Sequence, residues 1–478
     1  MHSLLSGIKK LLGTKLVKKI RPYGHGIKGL LAALKEGFPA KKLVIIGITG
    51  TKGKTTTTIF TGRLANLCGV KTGYISSALI NTGDFELEEE VDRSMRVRSG
   101  EIPNQTKMTT LDPFELQSSL KEMVENGCRV VVLELSSQGL EQNRHWGLGG
   151  FNIAAFLNLH PEHIEAHGGF ERYKKAKSVL FSKVKANAAF IAFAKDPEAE
   201  FMWESIPDQV RATVSKEIIQ PDEYTITNTS EGLTKQLSIN GKTVALDMYA
   251  DFEVENAMAA AHIVRFVPRL FGDVPLEVSA LVDVLPLVAG VPGRMEWVVK
   301  SGQIVWNNTT TDTIANSPTL SILVDYAHEP ESMKQLLEQL AFWKTKKIFS
   351  KLIHVVSCDG AGRDDWKKPV LGFLSQQFVD YTILTTDNYD RGDTPEEILK
   401  LLAQKLPLEA KDKSYFLQPV RRAAFEQALT LGHALKNDSI LIVSTGVGSE
   451  YGLTQPEGKL DWDERRAWVE EYRKLLKL

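Results

Sequence analysis

The chain has 478 residues, 43% of them hydrophobic, with 58 lysines and arginines against 59 acidic residues. At roughly 100–200 residues per domain this is two to four domains with real cores, and a net charge of −1 excludes wholesale disorder and a role in coating nucleic acid. With no run of about 18 apolar residues and only three scattered cysteines, Cys68, Cys128 and Cys358, neither a membrane span nor a disulfide framework nor a zinc ribbon is expected, which leaves a cytoplasmic α/β protein of several domains.

Residues 1–42 carry ten lysines and arginines and one acid, Glu36. Leu4, Leu5, Ile8, Leu11, Leu12 and Leu16 recur at helical spacing, with Lys9, Lys10, Lys15, Lys18 and Lys19 between them. One reading is a helix docked on the following domain with its lysines in solvent. The other is a basic amphipathic segment that makes peripheral contact with an anionic membrane or a polyanionic partner. The interrupting lysines, and the lack of a small-residue cleavage site, argue against a signal peptide.

After residue 42 short β-branched runs alternate with helical spacing. Leu43–Ile46, Val130–Leu133 and Ile153–Leu157 read as strands, and Phe114–Asn126 as a helix. Such alternation predicts a parallel sheet with crossover helices, its ligands at the strand ends. The pattern weakens between about 185 and 250 and resumes with the helical stretch Glu255–Val267. Val291-Pro-Gly-Arg294 is a turn signal, a plausible linker and a candidate hinge. Beyond it Ile322–Val324, Leu352–Val356, Tyr381–Leu384 and Ile440–Val443 repeat the strand pattern. The division expected is a short basic segment 1–42, a P-loop central domain 43–292 with a mostly parallel sheet, and a Rossmann-like α/β domain 293–478.

Gly47-Ile-Thr-Gly50-Thr51-Lys52-Gly53-Lys54-Thr55-Thr56 follows a predicted strand and opens a predicted helix. Glycines there let backbone N–H groups turn toward phosphate, and the helix N-terminus favours the anion. Lys54 would reach the β/γ-phosphates and Thr55 or Thr56 would offer a hydroxyl to Mg²⁺. The spacing is not the strict form, because Ile48 stands where the first glycine belongs. Glu134, at the end of a buried Val-Val-Val-Leu run, is placed to hold Mg²⁺ directly or through water. His160, Glu162, His163, Glu165 and His167 crowd eight residues. Without cysteine pairing or His-Glu-x-x-His, a hard-metal site with one imidazole fits this cluster better than zinc. Lys177, on a predicted helix, would not be singled out by its own surroundings.

Taken together these residues resemble the Mur ligase family, the ATP-dependent amide ligases of peptidoglycan precursor synthesis, and most closely its tripeptide synthetases. The resemblance runs over about residues 43–478. It rests on Gly50–Thr56, on Glu134 with Ser136, Ser137, Gly139 and Leu140, and on Asn158, Leu159, Glu162 and His163. It continues through Tyr173–Lys177, Asn256 with Ala259 and Ala260, Pro292–Glu296, Asp325–His328 with Pro330, and Arg363, Asp364 and Lys367. The resemblance implies a carbamylated Lys177 that shares two Mg²⁺ ions with Glu134, His163 and the P-loop Thr55. It implies that Asn256, Arg294, Asp325 and His328 line ATP. It also implies that Thr109, Thr110, Ser136, Ser137 and Arg144 meet a UDP-muramoyl peptide acceptor.

Several positions depart from the family. Only 42 residues precede the first predicted strand, where the family has about a hundred that bind uridine. Gln138 replaces a histidine and Met108 an asparagine. The amino-acid pocket reads Asp387-Asn388-Tyr389-Asp390-Arg391 and Gly446-Val447-Gly448-Ser449-Glu450, with Lys368 where arginine is usual. A lysine does not reproduce bidentate carboxylate binding. Asp390 and Glu450 favour a second amine on the incoming amino acid, whereas Arg391 favours a distal carboxylate. The expectation is a monomeric ligase that adds a diamino acid to a UDP-MurNAc-dipeptide through an acyl phosphate. Alternatives are a Mur-type ligase acting on a non-UDP carboxylate, polyglutamate-like or another cell-wall peptide, and an inactive nucleotide-binding subunit.

Overall fold

The computed structural model describes residues 23–84, 100–106, 108–162, 167–306, 320–360, 364–389, 392–435 and 438–476. The chain forms two compact units. The first runs to Thr227 and includes Gln236–Leu246 and Asp251–Ala289; the second holds Asn228–Lys235, Asp247–Ala250 and Gly290–Leu478.

An eight-stranded sheet organises the first unit. Its strands are β1 (Val44–Thr49), β2 (Thr72–Ile75), β3 (Leu79–Asn81), β4 (Glu101–Pro103), β5 (Val130–Glu134), β6 (Phe151–Phe156), β7 (Val184–Phe193) and β8 (Ser215–Ile219), in the order β4-β3-β2-β5-β1-β6-β7-β8. Pairing from β2 through β8 is parallel, and β3 and β4 add an antiparallel edge. The central runs are apolar on both faces because helices cover both, so Val130–Leu133 shows no alternation. Val44 pairs Val130 and Ile48 pairs Glu134, and Ile46 faces Ile153 on the other side. This register brings the C-terminal ends of β1, β5 and β6 together, where parallel sheets hold ligands.

The weakly patterned stretch from 185 to 250 contains β7, β8 and a three-stranded sheet, β11-β10-β9, made of β9 (Tyr224–Asn228), β10 (Lys235–Ile239) and β11 (Lys242–Leu246). The helical stretch expected after it spans Asp251–Val264. Residues 23–35 form a helix seated in the first unit. Residues 1–22 lie outside the described residues.

The second unit carries a seven-stranded sheet of β12 (Glu296–Lys300), β13 (Gln303–Ile304), β14 (Leu320–Val324), β15 (Lys351–Cys358), β16 (Tyr381–Thr386), β17 (Tyr415–Leu417) and β18 (Ile440–Ser444). The order is β13-β12-β14-β18-β15-β16-β17. All pairs from β14 to β17 are parallel, and β12 is antiparallel to β14. A hairpin of β19 (Tyr451–Gln455) and β20 (Gly458–Asp463) follows. The short piece Asp247–Ala250 belongs here through Tyr249, whose ring packs edge-on to Trp297 at 5.6 Å and Trp343 at 6.4 Å. Both units are α/β, with largely parallel sheets. No described helix is long and apolar enough to cross a membrane.

Candidate active site

The loop leaving β1 is held at its backbone N–H groups by Asn158. The N–H of Thr51 reaches the Asn158 carbonyl at 2.9 Å, and the Asn158 side-chain oxygen accepts from Thr51 N–H at 3.1 Å and Lys52 N–H at 2.8 Å. Asn158 follows β6, so strand order brings it beside the loop. Gly53 caps the helix Lys54–Leu67 with φ +79°, and a Cβ there would lie 2.3 Å from the Asn256 side-chain oxygen. Only glycine meets both demands. Asn256 also accepts from the Thr57 hydroxyl at 3.2 Å. The predicted loop residues Gly50, Thr51, Lys52, Gly53, Lys54, Thr55 and Thr56 therefore sit at one helix N-terminus with Asn256 beside them. Lys54 donates to the Thr51 carbonyl at 2.8 Å.

Glu134 is buried at the end of β5. One carboxylate oxygen accepts from the Thr55 hydroxyl at 3.1 Å and the other from Ser77 N–H at 2.7 Å, while Ser77 and Thr55 hydroxyls lie 2.8 Å apart. Ser77 was not foreseen. It follows β2, and only the adjacency of β2 and β5 brings it here. The sequence held no signal for it apart from a serine after a short strand.

Lys177 is fully buried on the helix Phe170–Ser178, its Nζ donating to the Gly50 carbonyl at 2.6 Å. Burial pushes its pKa well below that of a free lysine; Lys54 adds to the fall and Glu162 opposes it. The amine is thus driven toward its neutral form, 4.6 Å from the Tyr173 ring centroid. Tyr173 in turn hydrogen-bonds the Thr51 hydroxyl at 2.9 Å. Glu162 pairs with Lys52 at 3.3 Å. His163 lies outside the described residues, so its expected place in a metal shell has no geometry here.

A second group adjoins β5. The Thr110 hydroxyl lies 3.2 Å from that of Ser136 and accepts from Ser136 N–H at 3.0 Å, and Arg144 donates to the Thr110 carbonyl at 2.9 Å. Gly139 is required here, since a Cβ would meet Thr110 Oγ1 at 2.5 Å. Ser137 lies 3.0 Å from His167 Nε2, and His167 Nδ1 is 3.1 Å from Glu141. Four of the five residues expected to meet the acceptor, Thr110, Ser136, Ser137 and Arg144, thus converge around one short helix, Ser137–Glu141. Thr109 is half-buried next to them.

The other predicted residues belong to the second unit and form three groups there. Arg294 stacks over the Tyr326 ring at 4.2 Å. Asp325 accepts from Met295 N–H at 2.9 Å and Ala327 N–H at 2.7 Å, its pKa raised by burial against the pull of Arg294. His328 Nδ1 lies 2.8 Å from the Tyr326 carbonyl, and Tyr326 donates to Glu450. Asp387 and Asn388 leave β16. Ser357 donates to Asp387 at 2.9 Å, and Asn388 donates to Asp359 at 3.0 Å. Burial and the neighbouring Asp359 push Asp387 well above the carboxylate range. Gly446, at φ +106°, leaves no room for a side chain beside Ser357 and Asp387. Lys368 is fully buried against Asp365. Arg363, Asp390 and Arg391 lie outside the described residues.

Comparison with known proteins adds the lineage. A model of the Mur ligase middle domain matches residues 48–264, and a model of the Mur ligase glutamate ligase domain matches residues 309–446. The UDP-N-acetylmuramoyl-L-alanyl-D-glutamate–2,6-diaminopimelate ligase of Thermosynechococcus vestitus is 31% identical over 454 residues, covering 94% of this chain and 80% of that protein. The UDP-N-acetylmuramyl-tripeptide synthetase of Treponema denticola is 29% identical over 453 residues, covering 91% and 77%. Among solved structures, a UDP-N-acetylmuramoyl-L-alanyl-D-glutamate–2,6-diaminopimelate ligase aligns with TM-score 0.53 at 24% identity over 94% of this chain and 83% of its own. Folylpolyglutamate synthase of Mycobacterium tuberculosis, complexed with ADP and AMPPCP, aligns with TM-score 0.63 at 16% identity over 99% and 98%. These two structures share the fold.

Proposed function

Because the chain belongs to the Mur ligase family and is an ATP-dependent acid–amino-acid ligase, we propose that it extends a UDP-muramoyl dipeptide by one diamino acid. A carboxylate and an amine form a salt in water, so the carboxylate must first be activated. In this reading it attacks the γ-phosphate of ATP, giving an acyl phosphate and ADP. The amine then attacks the acyl carbon, and inorganic phosphate leaves.

The single observation that carries the reading is the pairing of a buried, pKa-lowered Lys177 with the phosphate loop, with Glu134 and Thr55 in contact beside it. A neutral amine is the form that reacts with CO₂, giving a carbamate and releasing a proton. Hard oxygen donors are then the hydroxyl of Thr55, the carboxylate of Glu134 and the Lys177 carbamate, which suit Mg²⁺. Such ions would neutralise charge where anion meets polyanion. Lys54 and the N–H groups opening its helix cradle phosphate. Thr110, Ser136, Ser137 and Arg144 form a partly buried polar cluster suited to the acceptor peptide. Arg294, Asp325 and His328 are proposed to meet the nucleotide, and Asp387, Asn388, Gly446, Glu450 and Lys368 the incoming amino acid.

Phosphate release from MgATP, measured with UDP-MurNAc-L-Ala-D-Glu and a panel of amino acids, tests the proposal. Release that needs both substrates, with a tripeptide identified by mass spectrometry, supports it and names the amino acid. ATP hydrolysis that proceeds equally without an acceptor refutes it.

A further inference from the structure

The helix 23–35 is seated on the first unit by its small residues. Gly26, Gly29, Ala32 and Ala33 are buried. A Cβ at Gly26 would lie 2.5 Å from the Trp146 ring, and one at Gly29 would lie 2.5 Å from the Trp146 carbonyl oxygen. On the facing loop Gly147 has φ +94°, and a Cβ there would lie 2.7 Å from the Gly29 carbonyl oxygen and 2.9 Å from Ala33 Cβ. Helix and loop therefore meet backbone to backbone, which needs glycine. Glycine is a poor helix former, so what Gly26 and Gly29 contribute is the close seat. Lys28 stands between them and reaches the start of the helix Pro113–Glu125. It donates to Asp112 at 2.5 Å and lies 5.6 Å from the Phe114 ring centroid. The two side chains of this pair are 40% and 30% exposed, so it adds little to stability.

Its place in the chain gives the pair another role. Asp112 stands two residues beyond Thr110, and Arg144 two residues before Trp146. Arg144 donates to the Thr110 carbonyl at 2.9 Å and to the Gln142 side chain at 2.9 Å. The loop under the helix and the loop that carries Asp112 thus meet in the cluster assigned above to the acceptor. Asp112 feels both cations. Burial raises its pKa, but Lys28, the Phe114 N–H and Arg144 together hold it below its ordinary value. With Lys28 on Asp112 the carboxylate's charge is met, and Arg144 stays on Thr110. Without Lys28, Asp112 would draw the guanidinium to itself, since opposite charges attract most where water is partly excluded. The acceptor proposed above ends in a glutamyl residue with two carboxylates, of which only one is activated. The other remains an anion, and Asp112 would compete with it for Arg144.

Resting on that reading of the acceptor, we propose that Lys28 is a positioning residue for ligation: it neutralises Asp112 and so reserves Arg144 for the unreacting carboxylate of the acceptor. The test is steady-state phosphate release by the full chain with MgATP, UDP-MurNAc-L-Ala-D-Glu and the amino acid that the panel identifies. Lys28→Met is expected to raise the acceptor KM about two- to fivefold and to leave kcat and the KM for ATP unchanged. Adding Asp112→Asn, which keeps a cap on the helix Pro113–Glu125, is expected to return the acceptor KM to the parent value. Lys28→Arg is expected to hold it there. A parent that forms no tripeptide fails the reading of the acceptor and takes the proposal with it. Where the parent does form tripeptide, three outcomes overturn the proposal alone. One is an unchanged acceptor KM in Lys28→Met. Another is a rise that Asp112→Asn does not reverse, which would make Lys28 only a clamp on its helix. The third is an equal rise in both KM values or a loss of kcat, which would mark general disruption.

Discussion

At the scale of single residues the centre depends on one amine. If Lys177 acts as a carbamate, Lys177→Ala should lower turnover at least about a hundredfold while ATP still binds. A short carboxylate such as acetate should restore part of the rate. Phosphate release with and without the added acid measures this, and a variant that turns over like the parent would remove Lys177 from the mechanism. Glu134→Gln keeps the size of the side chain but removes its charge, and should raise the Mg²⁺ concentration needed for half-maximal rate; unchanged Mg²⁺ dependence would count against metal contact. What could be read at this scale was uneven. Lys54 and Glu134 announce themselves, one inside a glycine-rich loop and the other after a buried apolar run. Lys177 does not, because a lysine on a helix is ordinarily solvated, and its burial against Gly50 is a tertiary fact. Ser77 was silent for the same reason.

At the scale of elements, one glycine and one arginine carry the argument. Gly53→Ala would force a side chain into left-handed backbone and against Asn256. The backbone alone costs about 1–2 kcal/mol, and nucleotide affinity should fall with it; a thermal shift and an ATP titration read both. Arg63 lies buried on the P-loop helix. It pairs with Glu101 at 2.7 Å and donates to the carbonyls of Val288 at 2.8 Å and Ala289 at 3.0 Å. Arg63→Ala removes the cation from a largely buried Glu101, leaving it only the Tyr74 hydroxyl, and should cost about 3 kcal/mol, read as a lower urea midpoint. A change within error would mean that solvent reaches the pair. The strands now numbered β1, β5, β6, β14, β15, β16 and β18 were legible because doubly covered parallel strands are unbroken apolar runs. The stretch from 185 to 250 was not, since β9 and β11 are largely exposed and their residues mix polar with apolar. The helix 23–35 was not read from the sequence: the helical spacing noted in the first 42 residues lay between Leu4 and Leu16, outside the described residues, and the large residues of 23–35 face outward.

For the molecule as a whole, two buried imidazoles set the acid limit. Burial pushes His145 in the first unit down to about 4, with Lys183 adding to the fall. Burial and Arg421 push His354 in the second unit down to about 3. His354 stays neutral between the Ser375 and Thr445 hydroxyls at 2.8 and 2.9 Å. Each value lies below the ordinary 6.5, so on acidification the unfolded chain takes up the proton first. Their stabilisation is complete above pH 6.5 and is lost as pH falls toward about 4 and about 3. Urea midpoints should therefore decline between about pH 6.5 and 4. In His354→Gln, which cannot titrate, the decline should be shallower; an equal slope would mean that His354 titrates as if exposed.

The strand order of the second sheet bears on how the protein is made. Its central strand, β18, lies between β14 and β15, yet it is the last of the three to be synthesised. When Cys358 has been joined to the chain, Ser444 is still 86 residues away. At ribosomal speeds of about 5–20 residues per second, that is a wait of about 4–17 s. During it the β-branched edges of β14 and β15 have no partner, and each is a template for pairing with another nascent chain. A ribosome that stalls before residue 440 would leave that gap for good, so the arrival of β18 decides whether the strands made before it become a sheet or an aggregate.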